Sequence, residues 1–156
     1  MTSPDLAVER LLVRAIDTAP SLDEALHAAV TGLAASAERY DWVGIYLLEG
    51  ETLVLHNQLG TPTPHVRIPI AQGLCGAAAR ERRTIVVDDV RQDPRYLACS
   101  LETRSEIVVP IVDPRGRVVG EIDIDSDEPA AFGSQDRALV ETAAAALAAR
   151  FPASIE

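Results

Sequence analysis

Apolar residues change their period several times along the chain, and each change marks an element. Val8, Leu11, Leu12, Ala15 and Ile16 recur at the mixed three-and-four spacing of a helix, with Ser3 placed to cap it and Pro20 to end it. Ser21 and Glu24 have the spacing of a capping box. Leu22, Leu26, Val30, Leu33 and Ala37 then predict a second helix that ends near Tyr40. Residues 42–48 and 53–57 flank Glu49-Gly50-Glu51 and predict a hairpin, and residues 65–70 predict a further strand. A helix over 74–82 and a short β-branched strand over 84–87 follow, then an aperiodic connector over 90–103. Residues 107–112 are almost continuously apolar, and Asp113-Pro114-Arg115-Gly116 has the chemistry of a turn. Residues 117–125 alternate, with Val119, Glu121, Asp123 and Asp125 on one face and Val118, Gly120, Ile122 and Ile124 on the other. Ser134 is placed to cap a last, alanine-rich helix carrying Leu139, Val140, Ala143, Leu147 and Phe151.

Helices at both ends of a strand set predict a single α+β domain over residues 1–156. Its central antiparallel sheet carries the N- and C-terminal helices on one face and a ligand pocket on the other. With 47% hydrophobic residues in 156, the chain can bury a core without disulfide staples. No apolar run is long enough for a bilayer, and the first residues carry acids and arginines where a signal peptide would be apolar, so the expectation is a cytoplasmic protein with no membrane partner. A formal charge of −10 opposes binding to nucleic acid. Arg80, Arg82 and Arg83 read as complements to a helix C-terminus, not as a phosphate-binding patch.

The candidate chemistry centres on two cysteines. Cys75, in Gly73-Leu74-Cys75-Gly76, falls at a predicted helix N-terminus, where unpaired amides favour a thiolate. Cys99 lies in the connector with Arg91, Arg95 and Arg104 near in sequence, an arrangement that also lowers a thiol pKa. Free cysteines are ordinarily small buried hydrophobes, whereas paired cytosolic ones are more often transient and catalytic than structural. Glu106 opens one strand of the second hairpin while Asp123 and Asp125 lie on the other, so the turn brings their strands together. Alternating acids on an antiparallel strand usually face water. Gathered in a pocket, a protonated one can donate a proton and an ionised one can hold an ammonium group. Trp42, the only tryptophan, is either core or a ligand platform. His27, His56 and His65 have no metal-ligand spacing to either cysteine, so zinc stays an alternative with no ligand assigned to it. Neither a phosphate-binding glycine loop nor a nucleophilic-serine elbow is present.

Five stretches together resemble a GAF domain: Asp41-Trp42-Val43-Gly44-Ile45-Tyr46-Leu47, Val66-Arg67-Ile68-Pro69 leading to Gly73-Leu74-Cys75-Gly76, Leu97-Ala98-Cys99, Ser105-Glu106-Ile107-Val108-Val109-Pro110, and Gly120-Glu121-Ile122-Asp123-Ile124-Asp125-Ser126. With both cysteines in register, the chain resembles more specifically the free methionine-(R)-sulfoxide reductases, from about Trp42 to Asp127. The resemblance implies a six-stranded sheet, a closed pocket and a substrate of free methionine sulfoxide. It matches the family's cysteines at Cys75 and Cys99 and its pocket acids at Glu106, Asp123 and Asp125. The family commonly has a third cysteine just before Val-Arg-Ile-Pro, where this chain has His65. Its usual His-Ile-Ala-Cys-Asp reads Tyr96-Leu97-Ala98-Cys99-Ser100 here, which leaves Cys75 with Cys99 as the implied disulfide pair.

The activity so implied is reduction of free methionine (R)-sulfoxide by thiol chemistry. Cys99 attacks the sulfoxide sulfur, Glu106 or an aspartate serves its oxygen, Cys75 resolves the sulfenic acid, and a thioredoxin-like dithiol reopens the disulfide without a bound cofactor. Helix-terminus chemistry favours Cys75 as the attacking thiol and the family match favours Cys99, so that order stays open. The alternative is a non-catalytic GAF sensory module for a small metabolite. The cyclic-nucleotide form of such a module, with its Asn-Lys pair, is excluded because the chain has no lysine. A third expectation is a homodimer through the terminal helices, where Ala143 to Ala146 permit close approach.

Overall fold

In the computed structural model, which describes residues 6–97 and 101–152, the order of elements is the one the periods predict. Helix α1 (Leu6–Thr18) buries Leu12 and Ile16, and Ser3, its predicted cap, lies outside the described residues. Helix α2 (Leu22–Ser36) begins where Ser21 Oγ accepts the Glu24 amide at 3.1 Å and donates to the Glu24 carboxylate at 3.0 Å. The helix stops about a turn before Tyr40. Ala37 is extended, and two residues of the connection to β1 are drawn to a distant partner instead: Arg39 Nη2 and Tyr40 Oη both donate to Asp136 Oδ1. The other oxygen of Asp136 accepts the Gly133 amide at 2.9 Å and so caps helix α4 (Ser134–Ala148). Ser134 is thus the first helical residue, with Gly133 as the cap position, and one buried carboxylate clamps the α2–β1 connection to the start of α4.

Strands β1 (Trp42–Glu49), β2 (Thr52–Leu59), β3 (Arg67–Pro69), β4 (Ile85–Val87), β5 (Ser105–Val112) and β6 (Val118–Ser126) form one antiparallel sheet in the order β3-β2-β1-β6-β5-β4. The short β3 begins two residues later than the sequence predicts. The amide and carbonyl of His65 are bound instead by Thr63 Oγ1 at 3.0 Å and by the Tyr46 hydroxyl at 2.7 Å, which makes that residue part of a loop.

Period-two alternation divides the interior into two layers. Val43, Ile45, Ile107, Val109, Ile111, Ile122 and Ile124 face α1, α2 and α4, where Leu26, Val30, Leu33, Leu139, Val140 and Leu147 meet them. The opposite face carries Tyr46, Leu53, Ile68 and Val108 against helix α3 (Gly73–Glu81). The sequence leaves this second face open for a ligand. In the fold, α3 covers it, because the alanine run 77–79 lets the helix lie close to the sheet, and what remains is an enclosed cavity.

Candidate active site

Cys75 occupies the first turn of α3, and its placement depends on Gly73, whose φ of +73° is a conformation that residues with a side chain rarely adopt. A Cβ there would also stand 2.8 Å from Cδ1 of Leu97, a wall of the cavity. From the sheet side, β6 presents Glu121, Asp123 and Asp125, which are 0%, 2% and 3% exposed. β5 sets Glu106 opposite Asp125, and Val108 opposite Asp123. β1 sets Tyr46 opposite Glu121, Gly44 opposite Asp123 and Trp42 opposite Asp125. Gly44 leaves room for the Trp42 indole, since a Cβ there would fall 2.2 Å from the ring. The indole nitrogen donates to Gln58 Oε1 at 3.1 Å, and the ring centre lies 6.5 Å from that of Tyr46.

The acids of β6 do not form the solvated face that such alternation usually gives. They lie under α3, beside a small cavity of about 20 Å³, room for about one water. Its lining brings together Cys75, Glu106 and Asp123 with Tyr46, His65, Gly73 and Leu97. One ligand atom from each of Cys75, Glu106 and Asp123 lies within 4.8 Å of the others. Asp125 and Trp42, expected in the same pocket, line a separate and larger one with Asp41, Gly60, Glu102 and Asp127, although Asp125 still touches Asp123 and Glu106 electrostatically. Cys99 lies outside the described residues.

The electrostatics reverse one expectation. Cys75 stands at the helix terminus, yet burial first, then the charges of Asp123, Glu121 and Glu106, push its thiol well above the ordinary range. A helix terminus contributes about 0.3–2 kcal/mol, whereas full burial can displace a group by several pKa units at about 1.4 kcal/mol each, so burial prevails. Burial likewise raises Glu121, Asp123 and Asp125, with Asp123 adding to the rise at the other two. Among the described residues, both oxygens of Glu121 and Oδ1 of Asp123 and of Asp125 have no hydrogen-bond partner. Burial therefore favours the proton-bearing form of these carboxyl groups next to a thiol.

Glu121 is the member of this cluster that sequence reasoning placed on the right face without naming as a site residue. Its signal was the shared parity with Asp123 and Asp125.

The GAF domain family model matches residues 21–151. A Dictyostelium discoideum protein named GAF domain-containing protein A is 34% identical over 109 residues, which cover 70% of this chain and 68% of that protein. A Saccharomyces cerevisiae protein named free methionine-R-sulfoxide reductase is 38% identical over 104 residues, which cover 65% of this chain but only 57% of the yeast protein. Among solved structures, free methionine-R-sulfoxide reductase from Neisseria meningitidis in complex with its substrate superposes with a TM-score of 0.87 at 32% identity, covering 97% of this chain and 93% of that one.

Proposed function

The chain belongs to the GAF domain family and has free methionine-R-sulfoxide reductases among its relatives, and on that premise we propose that it reduces free methionine (R)-sulfoxide with Cys75, Cys99 and the acids of β5 and β6. The observation that carries this reading is the convergence of Cys75, Glu106 and Asp123 on one enclosed cavity. A protonated carboxyl beside a bound sulfoxide can protonate its oxygen as the sulfur is attacked, which makes that oxygen a leaving group.

Attack by the Cys99 thiolate on the sulfoxide sulfur forms a transient S–S bond. As that bond and the substrate S–O bond break, the protonated oxygen passes to Cys99 as a sulfenic acid and methionine departs. Cys75 then forms the disulfide, its thiol hydrogen and the sulfenic hydroxyl leaving as water. An external dithiol of thioredoxin type returns the two electrons and restores both thiols. The protonated state of Cys75 suits a thiol that acts second, which favours the order taken from the family match. Trp42 and Asp125, in the larger pocket, would hold the apolar stem and ammonium group of the amino acid. Pairing of two copies through α1 and α4, where α1 exposes Leu6 and Leu11, belongs to the same proposal.

The buried thiol also favours a second reading, a GAF sensory module that binds a metabolite in the cavity without turnover. One assay separates the two. NADPH consumption coupled through thioredoxin, run with each sulfoxide epimer of free methionine, should proceed with the R epimer only. In a single turnover without reductant, Cys75→Ser should still release about one methionine per chain and leave Cys99 as sulfenic acid, while Cys99→Ser should release none. Absence of turnover with several dithiols would overturn the reductase reading in favour of the sensory one.

A further inference from the structure

The cavity has a second chemical capacity that does not depend on the reductase reading. Its described lining contains two carboxyl groups and a thiol but no lysine or arginine. Glu121 adds another buried carboxyl beside the thiol, and three acids of the cluster carry oxygens that no described group satisfies. A cation with a preference for sulfur and oxygen donors would satisfy these oxygens.

We infer that Cys75, Glu106 and Asp123 form a binding site for one divalent transition-metal ion of the zinc type. Thiolate and carboxylate are both established zinc donors, with bond lengths of about 2.3 Å to sulfur and about 2.0–2.2 Å to oxygen, so three donors around one ion stand roughly 3.5 Å apart. The three donor atoms already lie within 4.8 Å of one another, close to that spacing. Asp123, nearly fully buried, lines the cavity and keeps one oxygen without a partner among the described residues. The three ligands come from three separate elements, α3, β5 and β6, so the folded sheet assembles the site. A fourth position faces the cavity and is open to water or to a substrate atom, as in zinc sites that are not purely structural. Binding forms Zn–S and Zn–O bonds and breaks the S–H bond of Cys75, and the thiol proton passes to the buffer. An ion seated there occupies the space a cavity ligand needs and ties up the thiol, so it is an inhibitor of whatever the cavity binds.

A second cluster, Asp23, His27 and His56, also has donor atoms within 4.8 Å, and it serves as the control. Its Asp23 and His27 are exposed. Its nitrogens are already engaged, His56 Nε2 with Asp23 Oδ1 at 2.8 Å and His27 Nδ1 with the Asp23 carbonyl at 2.9 Å.

The test is a calorimetric titration of the reduced chain with zinc chloride in two buffers of different ionisation enthalpy, together with a cobalt(II) titration followed by its thiolate charge-transfer absorption. The expected result is one ion per chain, net proton release and a sulfur-to-cobalt band. Cys75→Ser should abolish the band, Asp123→Asn should weaken binding by more than about 100-fold, beyond what loss of a supporting residue costs, and His27→Ala should leave the band unchanged. Circular dichroism shows whether each variant is folded. A band that survives Cys75→Ser, binding that is lost in His27→Ala, or no proton release would overturn the inference. Because the readouts are heat, protons and absorbance, failure of the reductase assay would leave this result standing, and the reverse also holds.

Discussion

Replacing Glu121 by glutamine should make the protein more stable at neutral pH and leave it unchanged in acid. Glu121 is fully buried, and its carboxyl pKa is pushed well up by desolvation and by Asp123, against a smaller lowering from the Cys75 thiol beside it. The amide matches the acid in size and keeps an oxygen for that thiol. Below the unfolded glutamate value of about 4.3, the group is neutral in both states and the two proteins should agree to within about 0.5 kcal/mol. Above it, the unfolded chain loses the proton while the folded chain keeps it. The folded state then binds more protons, so stability falls as pH rises until the raised folded value is passed, after which the loss levels off. The slope from this one group is at most about 1.4 kcal/mol per pH unit, so the variant gains on the order of 2 kcal/mol between about pH 5 and pH 7. Urea unfolding of both proteins across that range, with the m-value held as a check on the unfolded state, measures the difference directly. A gain that does not grow with pH, or a variant less stable than the parent at neutral pH, would refute the assignment of Glu121 as a buried neutral acid.

Asp136→Ala should cost about 3–5 kcal/mol in the same urea assay, because it leaves the buried Arg39 guanidinium without its carboxylate and uncaps α4 as well. Gly73→Ala should cost about 1–2 kcal/mol from its positive φ, and its Cβ displaces Leu97, so affinity for a cavity ligand should fall along with Tm. Iodoacetamide should label Cys75 in the folded chain at least about tenfold more slowly than in urea, one decade per unit of pKa displacement, with peptide mapping to separate it from Cys99. Equal rates would mean that the thiol is open to solvent or ionised.

The strands were legible because their signal is local. A two-residue period and a turn of the right composition fix the hairpin at 113–116, and the hairpin alone brings Glu106 opposite Asp125. Cys75 at the start of a helix was legible for the same reason, but its protonation state was not. The dipole argument uses only neighbours in sequence, whereas burial comes from α3 lying on β5 and β6, and the opposing charges come from residues 31 to 48 positions away. The end of α2 escaped for a similar reason: Arg39 and Tyr40 leave the helical path for Asp136, 97 and 96 residues on, and nothing near Tyr40 announces that partner. Division of the acids between a small cavity and a larger pocket follows where Trp42 lies over Gly44, a packing detail without a sequence period.

Strand β6 joins the two halves of the problem. Its even positions, Ile122 and Ile124, are fully buried against the helices, while the odd positions between and beside them deliver Glu121, Asp123 and Asp125 to the opposite layer. A slip of one residue would turn the isoleucines toward the cavity and drive three carboxyls into an aliphatic core, so the hydrophobic layer itself fixes the aim of the acids. Burying those acids costs stability at neutral pH, and the isoleucines on the same strand offset that cost, each by about 1.5–3 kcal/mol. An apolar residue at Glu121 would serve the fold better than the acid does. The acid therefore has its physical rationale in what the cavity holds: a proton for transfer, or the charge that receives a cation.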